Sequence, residues 1–338
     1  MFDKIGVGRL ADCALQESSK LLLSACNNFP VSQQLIDECI QEPYPPVIGD
    51  AIMRNLDDQG AINDNTMMMF DSVHLQLSSV HITPDYKNFL MSPNISFSGL
   101  NVLKTQNLRK ILFSGRRIFD RSSGTLMSTE DRGILRVLND WTIHNLISLE
   151  LPFNELNNNI ILRISGFKNL RHLNVACASH SFSSSSLETC VAGMPFLESL
   201  DVSETQVVDI SSLMSRKKTL KYLSLYATQA LFSPATPSVL YSLSGLKFLD
   251  ISLPADLPYA EDLSQFKLTP FLARLSYYCP NLEQLDISGN QRLSLDKGRS
   301  TVLSCLSSLP KLSFVGAAID GDLCHWLKGL FLCFYMIF

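Results

Sequence analysis

The sequence predicts an α/β fold: a solenoid of short parallel strands on a concave face, with helices or loops on the convex face, preceded by a small helical module. Three observations predict it. The first is an apolar pattern, Leu-x-x-Leu-x-Leu with conservative replacements, that recurs along most of the chain. The second is the distance between neighbouring starts of that pattern, which runs 38, 24, 27, 23, 26, 36 and 30 residues. The third is the character of the stretches between copies, where apolar residues return at helical spacing.

The copies justify the strands in order. A weak one, Leu108, Ile111 and Phe113, comes first. It is followed by Leu146, Leu149, Leu151; Leu170, Leu173, Val175; Leu197, Leu200, Val202; and Leu220, Leu223, Leu225. Then come Leu246, Leu249, Ile251; Leu282, Leu285, Ile287; and Leu312, Val315, Ala317. The last two positions of each copy are two apart, so they face one side of a short strand. The middle steps fall in the span of roughly 20–29 residues that marks leucine-rich repeats, and the longer steps imply inserted loops. Residues 186–194 and 268–275 read as return helices, with Pro270 tolerated near a helix start. No single repeat can bury its own apolar face, so neighbours must stack.

Ahead of the repeats, residues 10–25, 31–39 and 48–56 look helical, with Pro45 and Pro46 as punctuation. The expected division is a helical docking module over 1–65, the solenoid over 66–322 and an apolar tail over 323–338. Val73-His74-Leu75-Gln76-Leu77 is a candidate first strand. The tail is 16 residues long and interrupted by His325 and Lys328. A membrane span needs about 20 residues. The tail therefore reads as a last apolar cap, or as an end where a longer gene has been cut or mis-spliced.

Composition narrows the function. With 46% hydrophobic residues against 18% charged, material for a core is ample. A net charge of −4 gives no basic footprint for nucleic acid. The nine cysteines are an odd number without a Cys-x-x-Cys pair, which suits reduced thiols in an intracellular protein, cytoplasmic or nuclear. The first ten residues lack the apolar run of a secretory signal, so Asn94-Ile95-Ser96 reads as an accidental glycosylation pattern.

Motifs for catalysis are missing. There is no phosphate-binding Gly-rich loop, no His-Glu-x-x-His and no Gly-x-Ser-x-Gly elbow, and the six histidines show no metal-ligand spacing. The serines at 181 and 183–186 read as a polar loop. The expectation is a binding protein with no catalytic residue, metal or cofactor. Its candidate partner face is the column between the inward apolar positions: Glu150, Asn174, Asp201, Ser224, Asp250, Asp286 and Gly316. Beside the column stand Tyr222, Tyr226 and Phe248, aromatic anchors in an acidic surround. Asp201, Tyr222, Tyr226, Phe248, Asp250 and Asp286 are the residues expected to bind a protein substrate.

Longer segments carry a resemblance. Gln41-Glu42-Pro43-Tyr44-Pro45, then Gly60-Ala61-Ile62-Asn63-Asp64-Asn65-Thr66, are similar to the opening module of the Zyg-eleven family. The likeness continues in Met194-Pro195-Phe196-Leu197-Glu198-Ser199-Leu200-Asp201-Val202-Ser203-Glu204-Thr205, and in Asp209-Ile210-Ser211. It goes on through Cys279-Pro280-Asn281-Leu282-Glu283-Gln284-Leu285-Asp286-Ile287-Ser288-Gly289 and Phe314-Val315-Gly316, to about Asp322. The resemblance implies a substrate receptor of a Cullin-2 RING ubiquitin ligase that docks on elongin B and elongin C and on Cullin-2. The family's elongin box is Leu-x-x-x-Cys. Here Cys13 comes three residues after Leu10, so the strict spacing lands on Leu10 and Ala14. The family's cullin-contacting pattern is matched by Tyr44, Pro45, Ile48 and Ile52. The family also continues into armadillo-like repeats that read N-terminal glycine degrons, and no residue of this chain inherits that role. The other reading is a stand-alone interaction scaffold without ligase docking.

Overall fold

The computed structural model describes residues 44–71, 74–83, 95–114, 134–178, 181–254, 268–289, 304–316 and 333–335. The chain divides into two compact units, Met1–Asn154 and Glu155–Phe338. Expected helices at 10–25 and 31–39 lie outside the described residues.

In the first unit, strands β1 (Ser79–Ile82), β2 (Lys110–Phe113) and β3 (Ser148–Glu150) pair in parallel. Val80 and Ile82, Ile111 and Phe113, Leu149 and Leu151 point inward and are at most 4% exposed. Helix α1 (Pro46–Asp58) starts at a proline, whose fixed φ suits the first helical turn. It packs beside β1 and serves the donors of that edge strand. The Asp50 carboxylate accepts the backbone N–H of Ser78 and of Ser79, both at 2.8 Å. One residue past the strand, Asp57 accepts the Thr83 N–H at 2.8 Å. Two carboxylates seven residues apart, about two helical turns, thus occupy both ends of an edge that would otherwise be open. Close approach requires Gly49, because a Cβ there would stand 2.2 Å from the Gln76 carbonyl oxygen.

The first strand of the repeats is β1, not the candidate at 73–77. That stretch contributes a single bridge, Tyr44 to Leu75. Its Leu77 N–H is taken at 2.6 Å by the Gln106 side chain, which in turn donates to the Phe70 carbonyl at 2.6 Å. The side chains of Gln106 and Asp50, distant in sequence, end the extended run at Leu77 and start β1 two residues on, at Ser79.

The second unit repeats one scheme. Strands β4 (His172–Asn174), β5 (Ser199–Asp201), β6 (Tyr222–Ser224), β7 (Phe248–Asp250), β8 (Gln284–Asp286) and β9 (Phe314–Gly316) are parallel neighbours in sequence order. The inner row, Leu173, Leu200, Leu223, Leu249 and Leu285, is at most 2% exposed. Each such burial contributes about 1.5–3 kcal/mol. The short helices α2 (Asp64–Met67), α3 (Phe97–Leu100) and α4 (Asp140–Asn145) belong to the first unit; in the second, α5 (Asn158–Ser165), α6 (Ser184–Gly193), α7 (Thr236–Ser242) and α8 (Leu268–Tyr278) provide returns between strands. Both expected return helices, 186–194 and 268–275, are present as α6 and α8. The serine run differs from expectation: residues 184–186 form the first turn of α6 instead of a loop, and Ser184 accepts the N–H groups of Val208 and Asp209 at 3.0 and 2.9 Å. Within the expected tail, residues Cys333–Tyr335 form a further strand, β10, paired in parallel with β9. The fold is thus the α/β leucine-rich-repeat type read from the sequence.

Candidate partner-binding face

Four strands of the second unit, β4, β5, β7 and β8, end in the same turn. Asn174 accepts the Ala176 N–H, Asp201 that of Ser203, Asp250 that of Ser252 and Asp286 that of Ser288, each at 2.9 Å. Such Asx turns end an extended segment locally. The next residue enters the left-handed region in several repeats: Cys177 has φ 59°, Glu204 52°, Ala227 54° and Gly289 71°. Phe153 in the first unit, φ 60°, holds the corresponding place after β3. Only Gly289 carries the residue type that signals this conformation, so the sequence concealed the motif. Its one cue is the Asp-x-Ser repetition at 201–203, 250–252 and 286–288.

The turns join into a ladder across β5, β6 and β7. The Ser203 and Ser224 hydroxyls lie 2.8 Å apart, Ser224 donates to Asp250 at 2.9 Å, and Ser252 donates to the same carboxylate at 2.5 Å. Both oxygens of Asp250 are therefore engaged. Burial pushes its carboxyl above the ordinary value, the hydrogen bonds from Ser252 and Ser224 oppose that, and the neighbouring Asp286 charge adds to it.

The six expected partner-binding residues all belong to this face. Register sets Tyr222 directly beside Phe248, and Ser224 beside Asp250, which stands beside Asp286. Tyr222 is 42% exposed, while Phe248, Tyr226 and the three aspartates are half-buried. Burial foremost, then the charges of Glu204 and Asp250, raise the Tyr226 phenol. The Cys177 thiol is pushed up to about 11, by burial first and by Glu204 and Asp201 after it. Glu204 and Cys177 thus belong to the same electrostatic neighbourhood, and sequence reasoning assigned neither to it.

A charged row borders the face. Glu198 binds Lys221 at 2.6 Å and also pairs with Arg171, and Lys247 binds Glu283 at 2.9 Å. The bond from Lys221, with that from Arg171, holds Glu198 below the usual carboxylate range against the opposing effect of burial.

The expected docking residues divide. Leu10 and Ala14 lie outside the described residues. Tyr44 and Pro45 are exposed at the start of α1, Ile48 is half-buried, and Ile52 is 6% exposed and serves the core of the first unit. Val47, which no motif singled out, is 68% exposed beside them. The backbone of this tip is fixed, because the Tyr44 N–H donates to the His74 carbonyl at 2.9 Å.

No family model matches the chain. Among solved structures, an internalin C2 from Listeria monocytogenes is 18% identical, with 84% of this chain and 96% of that chain covered and a TM-score of 0.42. An internalin (inlF) from the same organism is 12% identical over 95% and 93% of the two chains, TM-score 0.41. The yeast complex of Rad7 and Elc1 matches at 16% identity over 96% and 87%, TM-score 0.42. Overlaps this loose carry no argument about function. The fold rests on the strand register and buried rows.

Proposed function

We propose that the chain is a leucine-rich-repeat interaction scaffold that serves as the substrate-recognition or adaptor subunit of a Cullin-2 RING ubiquitin ligase. It acts with elongin B, elongin C and Cullin-2 and holds a protein substrate on the outward face of the second unit. Its contribution to ubiquitin transfer is proximity, with the chemistry done by partner subunits. The resemblance of residues 41–45 and 60–66 to the Zyg-eleven opening module supports the ligase half of this reading. The observation that carries it is the tip of α1, where Tyr44, Pro45 and Val47 are solvent-exposed on a backbone held by the His74 carbonyl. An apolar tip on a rigid support suits docking at low entropic cost. The site of action is cytoplasmic or nuclear. No helix among the described residues is long and apolar enough to cross a membrane.

The test is co-purification of the wild-type chain, and of a Leu10→Ser/Pro45→Ala double variant, with elongin B, elongin C and Cullin-2. Retention by wild type and loss in the variant is the expected result. Failure of the folded wild-type chain to retain either partner overturns the ligase reading and leaves a stand-alone scaffold.

A further inference from the structure

The carboxylates on the outward face perform a structural task that does not require their charge. At β4 the neutral Asn174 accepts the Ala176 N–H at 2.9 Å, the same length at which Asp201, Asp250 and Asp286 accept theirs. Asparagine therefore closes this turn as well as aspartate does. Yet three members of the column within the second unit, Asp201, Asp250 and Asp286, are charged, and Glu204 adds a fourth carboxylate at the turn after β5. Asp250 and Asp286 stand directly opposite in register, where like charges repel. None of the four forms an ion pair among the described residues. The basic side chains of the bordering row, Arg171, Lys221 and Lys247, are already held by Glu198 and Glu283. This local conflict, unnecessary for folding, leaves a negative face with no counter-charge among the described residues.

Aromatic rings adjoin that charge. Tyr222 and Phe248 are register partners. They sit one pleat period, about 7 Å, from the acidic column along the strands. From β5 to β8 there are three strand spacings, so Asp201 and Asp286 lie about 14 Å apart. An extended peptide covers that distance in about four residues.

We propose that this face binds a basic, arginine-bearing extended segment of a partner protein, with guanidinium groups over Tyr222 and Phe248 and against Asp201, Glu204 and Asp286. The proposal rests on the reading of the chain as an interaction scaffold and specifies the chemistry of what the scaffold holds. Arginine fits better than lysine, because its planar group both stacks on aromatic rings and donates a fork of hydrogen bonds to carboxylates. Asp250, with both oxygens engaged, supplies field instead of contact.

The probe is a fluorescein-labelled Gly/Ser peptide with two arginines four residues apart, and its twin with both arginines replaced by glutamine. Binding to the full chain is read by anisotropy. The arginine peptide is expected to bind and the glutamine twin not, with affinity falling as salt is raised from about 0.05 to 0.3 M. An Asp201→Asn/Asp250→Asn/Asp286→Asn variant is expected to lose about tenfold or more in affinity. It keeps every turn acceptor, and a cooperative circular-dichroism melt with a midpoint no lower than that of wild type confirms that it is folded. Tyr222→Ala is expected to weaken binding about fivefold and Tyr222→Phe to restore it. Glu188→Gln, which removes an exposed carboxylate on α6, is the control and leaves affinity unchanged. Equal binding of the two peptides, no binding of either, or wild-type affinity in the triple variant overturns the proposal. Co-purification of the triple variant with elongin C and Cullin-2 is read in parallel. Loss of peptide binding with ligase docking intact confines the effect to this face. Peptide binding without ligase docking overturns the ligase reading alone.

Discussion

Ala227 holds a backbone conformation, φ 54°, that a Cβ makes costly. The left-handed region costs an L-residue roughly 1–2 kcal/mol, while glycine costs roughly 0.5–1 kcal/mol in lost chain freedom. Ala227→Gly is therefore expected to raise stability by about 0.5–1 kcal/mol, read as a higher urea midpoint. The same change at a buried strand position would lower it. Asp250 makes a second prediction at this scale. Its carboxyl titrates above the ordinary 3.8 in the folded chain, chiefly through burial. The stabilisation it contributes is complete below that value and is lost as pH rises through the folded carboxyl's range. Asp250→Asn keeps the acceptor for Ser252 and removes the titration. Comparing urea midpoints near pH 4 and pH 7, the variant should gain on wild type at the higher pH. A gain of the same size at both values would show that the charge is not the cause. Thiols give a third reading. Burial pushes Cys190 and Cys279 up to about 12, so both should resist iodoacetamide at pH 8 until the chain is unfolded, as peptide mapping would reveal.

Among elements, α1 and its clamp on β1 show how far the sequence could be read. The helix itself was legible, since Pro45, Pro46 and the apolar spacing of 48–56 mark its start and its face. Where the first strand begins was not. Residues 73–77 and 79–82 both alternate acceptably, and the choice is made by Asp50, 28 and 29 residues from the N–H groups it accepts at Ser78 and Ser79. Asp50→Ala is expected to cost about 2–4 kcal/mol, because it leaves the buried Ser79 donor and the half-buried Ser78 donor without their acceptor. Hydrogen exchange at Ser79 should speed up well before exchange at Leu223 does. The positions of the strands of the second unit were legible, though not their ends, because a period of two is rigid and its inner row is nearly pure leucine; Val175, Val202, Leu225, Ile251 and Ile287 fall one residue past the strands. Their turns were hidden, since Cys177, Glu204 and Ala227 fill a place where glycine would have announced the conformation. The acidic column was visible in the sequence, but its division between turn closure and surplus charge needed Asn174 placed beside Asp201 in register.

For the whole molecule, stability is set by stacking between adjacent repeats. Leu249 is fully buried between β6 and β8 neighbours, so Leu249→Ala should cost about 2–5 kcal/mol and lower the urea midpoint of the second unit. Measured beside it, Leu162→Ala removes a side chain that is 62% exposed and should shift the midpoint little. A parallel stack of this type has a further property that follows from its ends. Every strand offers the next one a matching row of donors and acceptors, so a bare first strand is a template for another chain. At the two ends of β1 that row is capped, at Ser78 and Ser79 by the carboxylate of Asp50 and at Thr83 by that of Asp57. The helix therefore acts as a stopper against polymerisation: a chain shortened to begin after Asp58 would expose a growing tip and gather into fibrils that bind an amyloid dye.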